Sequence, residues 1–285
     1  MQKRRKNWLL VAALAAFLGA CSVSWVVGGK LVEPTQRMVG RAPKGLFARD
    51  VSFSSQSGAT IAGWYLDTPE ATKTVLLLHP IRGDRRAMLE RARFLANAGF
   101  AALLIDLQAH GESVGKAITL GSLESRDATA AVAFAQDLAP ANKLVAIGWS
   151  LGGASLLLAP ELALDAVVLE AVYPTIDEAL HNRVAMRLGP LADLVAPVLA
   201  LQLPLRLGIA AQDLRPIDHI AQLGCPVLLL GGGADEHTPP AETRALFEAA
   251  LEPKQLVLFE GAAHTDLYQA DRELYERTVL TFLQQ

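Results

Sequence analysis

Short apolar runs alternate with longer segments of helical spacing through most of this 285-residue chain. The runs that we interpret as buried strands cover residues 74–79, 101–107, 144–147, 166–169, 227–230 and 255–259. Helical segments separate or follow them at 85–98, 123–138, 240–251 and 271–284. Because strands that alternate with helices form βαβ units, the pattern predicts an α/β fold with a mostly parallel central sheet and helices on both faces.

The chain ahead of this alternation divides into a hairpin and a linker. Residues 49–54 and 60–66 flank Ser57-Gly58, which predicts an antiparallel hairpin. Residues 28–45 are rich in Gly, Pro and charged residues and are interpreted as a linker. The folded domain is therefore predicted to occupy residues 46–285.

Residues 174–222 interrupt the alternation with prolines and long Leu/Ala segments that show no strand pattern. We interpret them as a helical cap inserted over the carboxyl ends of the strands, where open α/β sheets bind ligands. The stretch Leu188–Leu207 carries only two charges, Asp193 and Arg206. Because three prolines interrupt it, we favour a cap that lines an apolar pocket over a second membrane span.

Residues 1–27 are interpreted as a signal peptide or a membrane anchor. The basic cluster Lys3-Arg4-Arg5-Lys6 precedes an apolar run, as in an export signal. Leu18-Gly19-Ala20-Cys21 is similar to a bacterial lipobox, in which the signal is cut before a cysteine that then carries lipid. Alternatively, the uncharged stretch Trp8–Val27 is long enough for one bilayer crossing, with the basic cluster in the cytoplasm. Ordinary cleavage is the third possibility, and all three place the domain in the cell envelope, outside the cytoplasm.

Composition excludes several classes of function. The formal net charge is −3 and four positive charges lie in the first six residues, so the acidic domain offers no electrostatic footprint for nucleic acid. The two cysteines, Cys21 and Cys225, form no disulfide framework, and no metal-ligand spacing is present. No phosphate-binding loop or dinucleotide fingerprint follows the first strand, so no cofactor is predicted.

The sequence Gly148-Trp149-Ser150-Leu151-Gly152 lies between a predicted strand and a predicted helix. This is the Gly-x-Ser-x-Gly pattern of a nucleophile elbow, a strained turn that exposes the serine hydroxyl. A serine hydroxyl is a weak nucleophile until a base takes its proton. Ser150 is therefore predicted to be the nucleophile of a hydrolase that also needs a histidine and a carboxylate.

Two later loops supply candidates for these groups. Asp235 follows a predicted strand in a Gly-rich loop, and His264 follows the last predicted strand. The order Ser, Asp, His along the chain is the order of a nucleophile-elbow triad. Glu170, at the end of the strand before the cap, is an alternative acid. His237 is a candidate pocket residue beside Asp235, as is Trp149 beside the nucleophile.

Residues 46–285 resemble the α/β-hydrolase superfamily, and most closely its exported or membrane-anchored branch related to BEM46-like and serine-aminopeptidase-like hydrolases. The resemblance includes Gly63-Trp64-Tyr65, Leu104-Ile105-Asp106, Ala109-His110-Gly111-Glu112-Ser113 and Arg215-Pro216-Ile217-Asp218. It implies that Ser150 is the nucleophile, His264 the base, Asp235 the acid, and the N–H groups of Ile81 and Leu151 the oxyanion donors.

One position departs from the family pattern. The family usually has His-Gly where this chain has His79-Pro80, and proline has no N–H to donate. His79 is expected to brace this loop or to line the pocket, and Ile81 remains the implied donor. Together these features predict a serine hydrolase that cleaves a carboxylic ester or thioester with an apolar acyl part. A peptidase of the same fold and a non-catalytic binding protein of the envelope are the alternatives.

Overall fold

The computed structural model describes residues 18–19 and 21–285. The basic cluster at residues 3–6, and the part of the predicted signal or anchor up to residue 17, lie outside the described residues. A first helix, α1, covers residues 21–31 of the described chain, and Cys21, the predicted lipidation site, is exposed on it.

Eight strands form the central sheet, and two short strands pair separately. The strands are β1 (Thr35–Gln36), β2 (Ala48–Ser54), β3 (Thr60–Leu66), β4 (Lys73–Leu78), β5 (Ala101–Ile105), β6 (His110–Gly111), β7 (Lys143–Trp149), β8 (Ala166–Glu170), β9 (Val227–Gly232) and β10 (Lys254–Phe259). The sheet order is β10-β9-β8-β7-β4-β5-β3-β2. Strand β3 is antiparallel to both of its neighbours, β2 and β5, and every other pair of neighbouring strands is parallel. The predicted α/β fold with a mostly parallel sheet is confirmed.

Helices cover both faces of this sheet. They are α2 (Leu89–Asn97), α3 (Ser122–Leu138), α4 (Leu151–Leu158), α5 (Ile176–Leu188), α6 (Ala192–Ala200), α7 (Leu203–Leu207), α8 (Pro240–Ala249), α9 (Leu267–Ala270) and α10 (Arg272–Leu283). Alternate residues of β4 enter different cores: Leu76 and Leu78 pack toward α3 and α4, whereas Val75 and Leu77 pack toward α2 and α10. The strands are apolar throughout because both of their faces are buried.

The region predicted as a cap contains α5, α6 and α7. Thr175 caps α5 by accepting a hydrogen bond from the Glu178 N–H at 3.2 Å. A 3-10 turn at Gly189–Leu191 then reverses the chain, and α6 packs beside α5, where His181 and Asp193 are 2.9 Å apart. Residues Ile176–Leu207 are apolar enough by length and composition to cross a membrane, and only 17% of their most apolar window is buried.

The prediction of a linker at 28–45 is wrong for its first part. Thr35 donates to the Ala109 carbonyl at 2.8 Å, and Arg37 donates to the Gly111 carbonyl at 2.7 Å, so β1 pairs with β6. Val32 is buried as well. Gly and Pro mark turns in a sequence, but they carry no information on whether the backbone between them finds a partner strand elsewhere in the chain.

Candidate active site

Ser150 lies in a sharp turn between β7 and α4. Its φ of 50° and ψ of −109° fall outside the regions that ordinary L residues occupy, and its N–H donates to the Glu170 carbonyl at 2.8 Å. Backbone strain of this kind persists only where surrounding structure over-determines it. The strand, the helix and the bond to β8 supply that constraint here.

The glycines on either side of Ser150 are required by close approach. A Cβ at Gly148 would lie 2.5 Å from the Gly153 Cα, and a Cβ at Gly152 would overlap the carbonyl group of Leu78 on β4. Side chains at these two positions would push the helix away from the sheet. The Gly-x-Ser-x-Gly spacing is therefore a packing requirement of the turn itself.

Asp235 and His264 lie together in the loops that follow β9 and β10. His264 Nδ1 is 2.7 Å from Asp235 Oδ2, while Asp235 Oδ1 accepts hydrogen bonds from the N–H groups of His237 and Thr238, both at 2.8 Å. Because a carboxylate only accepts hydrogen bonds, this contact assigns the proton to Nδ1 and leaves Nε2 as a free base.

The three candidate residues lie at one edge of the sheet, because β7, β9 and β10 are parallel and each residue follows the carboxyl end of its strand. No hydrogen bond joins the Ser150 hydroxyl to His264 within the described chain, and such contacts are often long in ligand-free enzymes. Ser150 is 1% exposed, so the candidate nucleophile is covered in this structure.

The two implied oxyanion donors both have free N–H groups. No hydrogen bond among the described residues uses the N–H of Ile81 or that of Leu151. Ile81 lies in a turn that the Gly83 N–H closes on the Pro80 carbonyl at 3.0 Å, with Arg82 at φ 62°. Pro80 begins the turn, so its missing N–H leaves the donor at Ile81 in place.

His79 braces this turn from below. Its Nδ1 is 2.8 Å from the Pro80 carbonyl oxygen, and its Nε2 accepts a hydrogen bond from the Leu107 N–H at 3.1 Å. Complete burial, and then the neighbouring His110 imidazole, lower the pKa of His79 to about 3. His79 is therefore a neutral structural residue, and it does not line an open pocket.

Trp149 and His237, the other candidate pocket residues, lie on different sides of the site. Trp149 packs over the Arg91 guanidinium, 5.2 Å from its ring centroid, and belongs to the α2 and α10 core. His237 lies against His264, with ring centroids 4.8 Å apart. Partial burial, and then the neighbouring His264 imidazole, lower the pKa of His237. Of the two, His237 is the one positioned beside the candidate base.

Asp235, His237 and His264 also form the kind of group that could hold a metal ion, since one ligand atom from each lies within 4.8 Å of the others. The sequence shows no metal-ligand spacing because His264 is distant along the chain from Asp235 and His237, and only the fold brings the three together. Both oxygens of Asp235 already accept hydrogen bonds from the site itself. The arrangement therefore fits a histidine–carboxylate pair better than a metal site.

Sequence reasoning missed a buried arginine beneath the site. Arg91 donates to Glu170 at 2.9 and 2.5 Å, is 2.8 Å from Asp266, and lies 3.2 Å from the Tyr275 hydroxyl. Tyr275 also donates to Glu170. With both oxygens bound, Glu170 is held away from His264 and is not the acid. A signal was available: Arg91 falls on the apolar side of α2, at helical spacing from Met88 and Leu95.

This combination of a mostly parallel eight-stranded sheet and a strand–serine–helix elbow defines the α/β-hydrolase fold. The chain belongs to the alpha/beta hydrolase family, whose sequence pattern matches residues 75–277.

Known relatives cover nearly the full length of the chain. A Mycobacterium tuberculosis protein, Rv2307c, is 28% identical over 99% of this chain and 97% of its own length. YqkD of Bacillus subtilis is 25% identical over 80% of this chain and 77% of its own length. Among solved structures, the esterase Pf2001 of Pyrococcus furiosus has a TM-score of 0.72 at 22% identity, covering 89% of this chain and 97% of that one.

Proposed function

We propose that this protein is a serine hydrolase of the cell envelope that cleaves a carboxylic ester or thioester through an acyl-enzyme. The observation that carries the proposal is the 2.7 Å contact between His264 and Asp235, at the same sheet edge as the strained Ser150 turn. The solved neighbours that are named esterases support an ester as the substrate.

In the first half-reaction, His264 Nε2 accepts the Ser150 proton as the hydroxyl oxygen attacks the substrate carbonyl. Asp235 keeps the other ring proton on Nδ1 and stabilises the imidazolium that forms. Two backbone N–H bonds to Asp235 Oδ1 fix the carboxylate in this orientation. The imidazolium then protonates the leaving alcohol or thiol, and Ser150 keeps the acyl group.

In the second half-reaction, His264 takes a proton from water as the water oxygen attacks the acyl-enzyme carbonyl. His264 then returns this proton to the departing Ser150 oxygen, which releases the acid and restores the serine hydroxyl. Both tetrahedral intermediates carry a negative oxygen, and the free N–H groups of Ile81 and Leu151 are the donors that would stabilise it. The side chains that the cap buries against the sheet domain are apolar, and this composition favours substrates with an apolar acyl or alcohol part.

A fluorophosphonate probe tests the nucleophile directly. Wild-type protein is expected to label, and Ser150→Ala is expected to lose all labelling. Ser155→Ala is the matched control, since Ser155 lies one turn further along α4 and donates only to the Leu151 carbonyl. Absence of labelling in the wild type, under conditions that label a known serine hydrolase, would overturn the proposal.

The class of substrate is tested separately. We expect p-nitrophenyl esters to be cleaved and aminoacyl-anilides to remain intact. Faster cleavage of anilides than of esters would assign the site to a peptidase instead.

Asp235→Asn is expected to lower kcat by on the order of 10⁴-fold while Ser150 still reacts slowly with the probe.

A further inference from the structure

Exposed apolar side chains are concentrated in two parts of the molecule. Of the sixteen large hydrophobic residues that are exposed in the described chain, five lie between Leu18 and Val27 and seven lie between Met186 and Leu205. Soluble proteins rarely expose contiguous apolar patches unless a partner covers them. The two segments are therefore candidates for one interaction surface.

The cap segment presents a regular stripe of these side chains. Helix α7 continues α6 through residues 201 and 202, which keep helical backbone angles. We call the following exposed residues the outward stripe: Leu191 (55% exposed), Leu194 (71%), Val198 (44%), Leu201 (72%) and Leu205 (76%). Their alternating spacing of three and four residues places them on one side of the helix.

The opposite side of the same helix is apolar and buried, through Ala192, Ala196, Leu199 and Leu203. A helix that is apolar on both sides is expected to be covered on both sides. The two charged residues within 191–207 lie off the outward stripe. Asp193 pairs with His181 of α5, and Arg206 lies over the Trp25 ring of α1, 3.8 Å from its centroid.

Helix α1 is packed against the end of this stripe. Gln202 donates to the Ser24 hydroxyl at 2.8 Å, and Arg206 donates to the Trp25 carbonyl. Val23 and Val26 of α1 remain about two-thirds exposed. The uncharged stretch Trp8–Val27, which includes the first part of α1, is long enough for one bilayer crossing. The outward stripe therefore lies beside the point where an anchored chain would leave the bilayer.

Helix α1 and the cap helix α5 border the candidate active site. Arg82, next to the implied oxyanion donor Ile81, donates to the Lys30 carbonyl near the end of α1. Asn182 of α5 donates to the His237 carbonyl at 3.2 Å, in the loop of Asp235. Because α6 packs beside α5, a surface formed by α1 and the outward stripe lies on the same side of the molecule as these loops.

We propose that the outward stripe docks on the surface of the lipid bilayer beside α1, and that the substrate enters the site from the bilayer. Docking of the stripe depends only on the exposed surface and the anchor. Entry of the substrate from the bilayer rests on the proposed function, and it names the substrate class as esters dissolved in the membrane. A second copy of this chain is the alternative occupant, but the stripe carries no charge and lies beside α1, which continues the uncharged stretch from Trp8, and this continuity favours the bilayer.

Docking is tested with the full chain reconstituted in phosphatidylcholine vesicles. A single nitrobenzoxadiazole label is placed by Leu201→Cys, in a background of Cys21→Ala and Cys225→Ala. The matched control is Leu251→Cys, because Leu251 is 64% exposed and lies outside α1 and the cap. Dibrominated lipid is expected to quench the label at 201 and to leave the label at 251 bright.

Equal quenching at the two positions, or protection of position 201 that follows dimer formation in lipid-free detergent, would overturn the docking proposal.

The entry proposal is tested with Leu194→Ser/Leu201→Ser. This variant is expected to lose about tenfold in kcat/KM toward a long-chain ester in vesicles and to keep wild-type activity toward p-nitrophenyl acetate. Equal loss on both substrates would overturn it. Failure of the proposed function appears differently, as absence of activity and probe labelling in the wild type, and it leaves the quenching result intact.

Discussion

Arg91→Met should show how much the free energy of unfolding of the protein depends on one buried charge beneath the candidate site. Arg91 and Glu170 are both fully buried, and Asp266 is 17% exposed. Burial disfavours the charged guanidinium, but Glu170 and the other nearby groups outweigh it and raise the pKa of Arg91 well above its ordinary value. Methionine fills a similar volume and leaves both carboxylates without their cation.

The expected cost is about 3–5 kcal/mol, because removal of one partner leaves an uncompensated charge in the core. Urea unfolding of the full chain in detergent, followed by tryptophan fluorescence, measures this value. Arg93→Met is the matched control on the same helix, since the Arg93 side chain is 42% exposed and its pair with Glu90 is at the surface. That change should cost less than about 1 kcal/mol.

The same reasoning predicts a partial rescue. Glu170→Gln in the Arg91→Met background removes the stranded charge of Glu170, so the two changes together should cost less than the sum of each alone, by about 1–3 kcal/mol. An Arg91→Met variant as stable as Arg93→Met would refute the argument that this charge organises the core. So would strictly additive costs in the double variant.

Three further predictions concern the loops around Ser150. Ile81→Pro should lower kcat by about 100–1000-fold while the protein stays folded, because proline removes the implied oxyanion N–H at a turn position that accepts proline. Ile81→Ala keeps the N–H and is the control in the same kinetic assay. Equal rates for the two variants would count against Ile81 as a donor. His79 should make the protein less stable as the pH falls from 6.5 toward about 3, since His79 binds a proton in the unfolded chain but stays neutral when buried. Urea titrations at several pH values measure the slope of the free energy of unfolding against pH, and His79→Gln should reduce this slope by up to about 1.4 kcal/mol per pH unit. An unchanged slope would contradict this prediction. Gly152→Ala should abolish probe labelling, because its Cβ would overlap the Leu78 carbonyl group, and retained labelling would show that the elbow tolerates a displaced helix.

The parts of the site that could be predicted from the sequence are those with local signals. Ser150 lies between a strand and a helix whose patterns are clear, and the elbow needs glycines only a few residues away. Asp235 and His264 each follow an apolar run, and a parallel sheet brings the ends of its strands to one edge. For these residues, short-range patterns and one topological rule were sufficient.

The remainder depends on contacts between distant parts of the chain. Arg91 meets Asp266 and Tyr275 across more than half of the sequence, and no periodic pattern records such a contact. The pairing of β1 with β6 is similar, because two-residue strands have no detectable period. The position of Arg91 on the apolar side of α2 was a usable signal, since a charge there requires a buried partner.

Ser150, Asp235 and His264 take their positions from strand ends and from the hydrogen bonds around them, and Arg91 ties the elbow to the loop of His264 from the side opposite the cap. The cap meets these loops from the other side, through contacts such as that of Asn182 with the His237 carbonyl. Changes in α5–α7 are therefore expected to alter access to Ser150 without disturbing the groups that we propose to carry out the chemistry. Membership of the family alone does not determine the substrate.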